Sequence, residues 1–294
     1  MDGSRNVRAW SALLATTRDF FRERGYFEVS TDHLVPAGAF EGTIDPLRVA
    51  YRGGSAELHT SPEIEMKRIL SRCHDNIFQI CHCFRDDLPS DVHLREFHML
   101  EYYRQGVGYE ALITETRGLF DRLAGRSLPF REITVARLFH SMTHLDLGSL
   151  SDAHDFREAV IGLGIQVSPS DDWADLFFRV MIERIEPALE AEFPLIVRDY
   201  PRPLAALAAF DASGSHAERF EIYWKGMELC NGASELTDSK ELERRLGAER
   251  AARLARGLVP HPEPSRLLES LRAGLPRCSG VAVGLDRLFR AIHG

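Results

Sequence analysis

The chain has 294 residues, with 36 lysines and arginines against 44 aspartates and glutamates, a formal net charge of −8. Hydrophobic residues at 44% and charged residues at 27% exclude a disordered chain, and the longest apolar stretches, such as Pro203–Phe210, are far short of the ~20 residues that cross a bilayer. The acidic balance argues against bulk nucleic-acid binding, which draws on clustered Lys and Arg, and the absence of an apolar leader near Met1 predicts a cytoplasmic protein.

Trp10, Leu13, Leu14, Phe20 and Phe21 recur at helical spacing up to a stop at Gly25. Tyr26–Thr31 reads as a strand, Val35–Asp45 as a loop rich in Gly and Pro, and Glu57–Thr60 as a short strand. Ser61 as N-cap and Pro62 at the first helical position predict a helix to about Cys73. Ile77–Arg85 and Phe97–Arg104 form a predicted antiparallel hairpin with a long polar connection and Pro89 at its tip. Residues 109–125 are helical, and 126 to about 195 are helix-dominated, most clearly at Asp155–Gly164 and Trp173–Phe193. Strands resume at Leu195–Arg198 and Ala217–Lys225. Asp238–Glu241 has the capping-box pattern at the head of a charged helix ending at Gly257. A small-residue strand, Cys278–Gly284, runs into a helix at Leu285–Arg290. Two blocks of strands around a helical middle predict an α+β fold with a mainly antiparallel sheet flanked by helices.

The cysteines are Cys73, Cys81, Cys83, Cys230 and Cys278. Cys81-His82-Cys83, near Cys73 and His74, raises a zinc site, but no second Cys or His pair follows at finger-like spacing. Alternation along Phe78–Phe84 places Ile80 on one face and Cys81 and Cys83 on the other, which reads as buried structural thiols.

The candidate chemistry lies on the strands. Arg85 ends one, and Arg287 follows Gly280 and Gly284 at the head of a helix, where close backbone approach and the helix N-terminus favour a polyanion such as a nucleoside triphosphate. Glu221 and Glu228 lie on either side of the turn Lys225-Gly226, an arrangement suited to magnesium.

In this order the segments resemble class II aminoacyl-tRNA synthetases. Phe84-Arg85 with His93 and Glu96-Phe97 is similar to motif 2, and Gly280–Arg287 is similar to motif 3. Thr60–Arg68, Met99–Arg104 and Glu228–Asp238 resemble the lysyl branch. Gly257–Pro262 and Gly274–Ala282 resemble its truncated paralogues, which attach lysine to elongation factor P. The likeness runs from about Val7 to Ala291.

It implies a single class II synthetase-like catalytic domain over 1–294, without an anticodon-binding barrel, and a homodimer. The activity it implies is formation of a lysyl or (R)-β-lysyl adenylate from ATP with Mg²⁺, and transfer to a lysine of elongation factor P. Arg85 and Arg287 would be catalytic. Asp87, His93, Phe97 and Gly284 would join them around ATP, with Phe97 stacking on adenine. Glu221 and Glu228 would hold the metal. Glu63, Glu101, Tyr103, Asn231, Glu235 and Ala282 would form the amino-acid pocket. Ala233 stands where the family carries an aromatic residue, and Asp86-Asp87 replaces its x-Glu, so a ligase for another amino acid or acceptor, or an inactive paralogue, is the alternative.

Overall fold

The computed structural model describes residues 3–39 (3–5 as backbone), 44–88, 94–189 and 192–294. Helix α1 (Gly3–Arg22) buries Leu13, Thr17, Phe20 and Phe21, whose spacing puts them on one face. Gly25, at φ 75°, turns the chain into β1 (Phe27–Glu28), shorter than the expected strand. A small sheet follows, with β2 (Leu34–Val35), β3 (Arg48–Tyr51) and β4 (Gly54–Leu58) in the order β2-β4-β3. Its β3–β4 hairpin was not anticipated from the sequence. It closes over Arg52-Gly53, where Gly53 supplies φ 99°.

Helix α2 (Glu63–Leu70) begins one residue after Pro62, with Ser61 Oγ accepting from the Glu63 amide at 3.3 Å, and ends before Cys73. Strands β5 (Ile77–Phe84) and β6 (Glu96–Gln105) form the expected hairpin, whose tip at Pro89 lies outside the described residues. Helix α3 (Tyr109–Ala124) stops at Gly125, which is left-handed at φ 65°. After β7 (Arg131–Thr134) come α4 (Val135–Thr143), α5 (Ala153–Gly162) and α6 (Trp173–Val180). The long helix expected from Trp173 to Phe193 breaks into a π turn at Met181–Ile185 and a 3-10 turn at Glu186–Ala188. Pro187 lacks the N–H that a continuing helix needs.

The chain then forms β8 (Leu195–Pro201), β9 (His216–Trp224), β10 (Met227–Ser234), α7 (Ser239–Ala255), α8 (Ser265–Arg272), β11 (Cys278–Gly284) and α9 (Leu285–His293). Asp238 caps α7 by accepting from the Lys240 and Glu241 amides. The Glu241 carboxylate pairs with Arg244 and Arg245, so the reciprocal half of the capping box gives way to ion pairs. A complete box forms instead at Asp172 and Asp175.

The main sheet has eight strands in the order β1-β5-β6-β11-β10-β9-β8-β7. Only its outermost pairs, β1 with β5 and β7 with β8, are parallel. Alternation assigns the two faces. Phe78, Leu100, Tyr102, Phe220, Ile222, Val281 and Val283 join α1, α3 and α9 in the main core. Phe21 there is fully buried and stacks on Phe78 at 4.9 Å, so Phe21→Ala costs about 3–5 kcal/mol. The opposite face is walled by two smaller cores, one from α4–α6 with Tyr200 and Tyr223, the other from α2, α7 and α8 with Tyr103 and Leu236.

Candidate active site

Between those walls the sheet floors a cleft of about 350 Å³. Every site residue read from the sequence lines it except His93, which lies outside the described residues. The β9–β10 turn, Lys225-Gly226, has φ of 52° and 72°, the left-handed pair that a two-residue hairpin requires. Simple alternation would put Glu228 and Asn231 on opposite faces, since they are an odd number apart. A bulge between Glu228 and Cys230 shifts the register, and both line the cleft.

One end of the cleft is rich in arginine. Arg85 follows β5, its guanidinium carbon 5.2 Å from the Phe97 ring centre and its Nε buried without a hydrogen-bond partner. Arg287, in the first turn of α9, donates to the Glu228 carbonyl oxygen at 3.0 Å, and Gly284 caps that helix. Asp87 also lines this end. The Glu221 carboxylate accepts from Arg219, Tyr200 and Tyr223, each at 2.6 Å.

The Glu228 carboxylate receives no hydrogen bond from the described residues. Burial, and then the charge of Glu221, push it up to about 8 against the pull of Arg287, Arg219 and Arg85. Burial and Glu221 also raise Glu186, which lines the same space. A charge-rich carboxylate group with an unengaged member fits a hard divalent cation such as Mg²⁺, for which Glu221 and Glu228 are the ligands expected.

The other end is a buried carboxylate pocket. Lys67, 1% exposed, bridges Glu63 and Glu235, with Nζ 2.5 Å from an oxygen of each. Those two anions hold the lysine charged despite its burial. Burial pushes Glu235 up to about 7 against Lys67. Tyr103 donates to Glu101 Oε1 at 2.6 Å, whereas Glu101 Oε2 is buried without a partner. Burial, and then Glu63, raise Glu101 well above the usual carboxylate range. Ala282 lies directly across from Glu101 on the neighbouring strand. A Cβ at Gly280 would collide with the Tyr103 ring and lie 2.5 Å from Glu235 Oε1, so this position admits only glycine without rearrangement.

Two cleft residues, Arg219 and Glu186, and the lysine behind the pocket, Lys67, were not anticipated. Arg219 spans the site, donating to Asn231 at 3.3 Å, Glu221, and the Leu204 carbonyl oxygen at 2.7 Å. Its spacing of two residues from Glu221 and four from Tyr223 on β9 was the available signal. Lys67 lies four residues after Glu63 on α2, a pairing readable from helical geometry. Glu186 carries no such signal, because it enters through the irregular turn forced by Pro187.

Three relatives and one family frame these features. The family described as tRNA synthetases class II (D, K and N) matches residues 2–294. The chain is 37% identical over 290 residues to a protein of Aquifex aeolicus (strain VF5) named elongation factor P--(R)-beta-lysine ligase homolog, covering 97% of this chain and 94% of that one. It is 34% identical over 299 residues to the elongation factor P--(R)-beta-lysine ligases of Salmonella gallinarum (strain 287/91 / NCTC 13346) and Salmonella typhi, covering 98% of this chain and 91% of each.

Proposed function

Because the chain belongs to the class II (D, K and N) tRNA synthetase family, we propose that it is an ATP-dependent ligase that activates lysine or (R)-β-lysine and transfers it to a lysine of elongation factor P. The observation that carries this reading is one cleft with a cation-binding carboxylate pocket at one end and two converging arginines at the other. The names of the relatives support the (R)-β isomer and the acceptor protein.

In the first step an oxygen of the amino-acid carboxylate attacks the α-phosphorus of ATP. Pyrophosphate leaves, and an aminoacyl-adenylate remains. Arg85 and Arg287 offset the charge developing on the phosphoryl oxygens, and Phe97 stacks on adenine. Asp87 and Gly284 border the nucleotide, and the family likeness assigns His93 to it as well. Glu63, Glu101 and Glu235 draw the substrate ammonium into the pocket, while Tyr103, Asn231 and Ala282 shape it, fixing the carboxylate in line for attack. Glu221 and Glu228 would hold Mg²⁺, which supplies further neutralisation of phosphate charge. In the second step the neutral amine of the acceptor lysine attacks the activated carbonyl; AMP leaves, an amide forms, and the amine proton passes to solvent.

The same reading takes residues 1–294 as one catalytic domain of a cytoplasmic homodimer. No described helix is long and apolar enough to cross a membrane. Val7 on α1 and Phe27 on the edge strand β1 are 69% and 59% exposed, apolar surface that a second copy would cover. Light scattering checks the dimer.

ATP–pyrophosphate exchange across a panel of α-lysine, (R)-β-lysine and smaller and larger amino acids tests the activity, with Arg287→Ala as control. Exchange with a lysine-like substrate, lost in the control, followed by the matching mass gain on elongation factor P, is the expected result. Exchange confined to another amino acid would overturn the substrate, and Ala233, in the pocket wall, would then be the first position to restore to an aromatic residue. Absence of exchange with every amino acid would overturn the enzyme.

A further inference from the structure

The β5–β6 hairpin encloses a small group of soft donors that the reaction above does not use. His59, between β4 and α2, is 2% exposed. Its Nε2 lies 2.8 Å from the His82 carbonyl oxygen. A carbonyl can only accept, so Nε2 carries the ring proton, and Nδ1 retains its lone pair. Nδ1 is buried and has no hydrogen-bond partner. Cys81 and Cys83, two apart on β5, point to the same face with their sulfurs 3.9 Å apart, and both are buried. A ring nitrogen of His59 and the two sulfurs all lie within 4.8 Å of one another. With Nε2 committed to the carbonyl, the nitrogen left for this group is Nδ1.

We propose that His59 Nδ1, Cys81 Sγ and Cys83 Sγ form a binding site for a thiophilic d10 cation, Zn²⁺, inside the sheet. A tetrahedral ion with Zn–S bonds of ~2.3 Å sets its sulfurs about 3.8 Å apart, close to the spacing already present. The hydrogen bond from Nε2 to a backbone carbonyl fixes the tautomer and ring orientation, as it does for zinc-ligating imidazoles generally. On binding, each thiol releases its proton to solvent and gives a sulfur lone pair to the ion. Two thiolates, a neutral imidazole and Zn²⁺ sum to zero charge, which suits a buried site. Met99 Sδ, 3.8 Å from Cys83 Sγ, stands beside the set as a further soft donor.

The position gives the site a structural consequence. His59 leads through Thr60-Ser61-Pro62 to Glu63, and Cys83 precedes Arg85 by two residues. The ion would join the segment that delivers the amino-acid pocket to the strand that delivers the phosphate end. Two hydrogen bonds already make that connection, from the Phe84 amide to the His59 carbonyl at 3.0 Å and from His59 Nε2 to the His82 carbonyl at 2.8 Å.

The test uses the full chain, reduced and stripped with a chelator, then titrated with Zn²⁺ against a chromophoric chelator and, separately, with Co²⁺. One Zn²⁺ per chain is expected, together with a Co²⁺ form showing intense tetrahedral d–d absorption and thiolate-to-cobalt charge transfer. Cys83→Ser and His59→Ala should each weaken Zn²⁺ binding by more than about 100-fold, whereas Cys73→Ser, outside the cluster, should retain one ion. Less than one Zn²⁺ per chain, a Co²⁺ form without thiolate charge transfer, or equal affinity in Cys83→Ser would each overturn the site. The cobalt spectrum uses the unaltered protein, so it decides even if a variant fails to fold.

Discussion

The two ends of the cleft stand on the same sheet and handle charge in opposite ways. At the amino-acid end the protein supplies its own counter-ion. Lys67 sits between Glu63 and Glu235, and Tyr103 engages one oxygen of Glu101. At the phosphate end two groups stay unengaged beside the fully bonded Glu221, with Arg85 Nε buried without a partner and the Glu228 carboxylate accepting no hydrogen bond from the described residues. Burying charge is expensive, so the more deeply buried amino-acid end is neutralised from within. The phosphate end borrows part of its neutralisation from the ligand that it binds, and the unengaged Nε of Arg85 is available when phosphoryl charge develops.

This contrast predicts that substitutions at the two ends fail differently. At the phosphate end, Arg287→Ala should lower the pyrophosphate-exchange rate by about 10³-fold and leave thermal unfolding nearly unchanged. At the amino-acid end, Lys67→Met strands the buried Glu235 and the half-buried Glu63. Removing one partner of a buried ion pair costs about 3–5 kcal/mol, which lowers Tm by roughly 6–20 °C in a chain of this size. The loss should shrink at pH 5, where the stranded acids can take up protons. A Lys67→Met protein as stable as the parent at pH 8 would break the contrast. Glu186→Gln should act more mildly, raising the Mg²⁺ concentration needed for half-maximal exchange by about 10-fold.

The difference between the ends also explains what was legible in the sequence. Strand alternation and the glycines of β11 made the floor readable, and the order of its segments revealed the family. Lys67 was visible as a residue of α2 but not as a counter-ion. Glu63 is its helical neighbour, whereas Glu235 comes from after β10, and only the tertiary fold joins them. Glu186 was hidden inside an expected helix that Pro187 breaks. His59 lies more than 20 residues before Cys81, so the Cys-x-Cys pattern alone read as packing. Helix and strand periods report faces, and convergence of separate elements lies beyond them.

The smallest effect, on pH, separates the ends most cleanly. Burial holds Glu235 at about 7 and raises Glu101 well above the usual carboxylate range, so in the empty pocket near neutrality Glu235 retains its proton for part of the time. A cationic substrate favours the ionised form of Glu235. Its binding therefore releases protons, and kcat/KM for the amino acid should rise with pH toward 7 by up to about 10-fold per unit, then level off as Glu235 ionises. Stability should move the other way. A carboxyl raised above its unfolded pKa of about 4.3 stabilises the fold fully below that value and loses the contribution as pH climbs through the folded pKa. The free protein should thus lose Tm between about pH 4.5 and 7, and a saturating lysine-like ligand should offset the loss. Glu235→Gln keeps the shape and removes the titration, so it should weaken amino-acid activation, flatten its pH dependence and leave ATP affinity in place. An unchanged pH profile in that variant would mean that the substrate ammonium does not bind at Glu235.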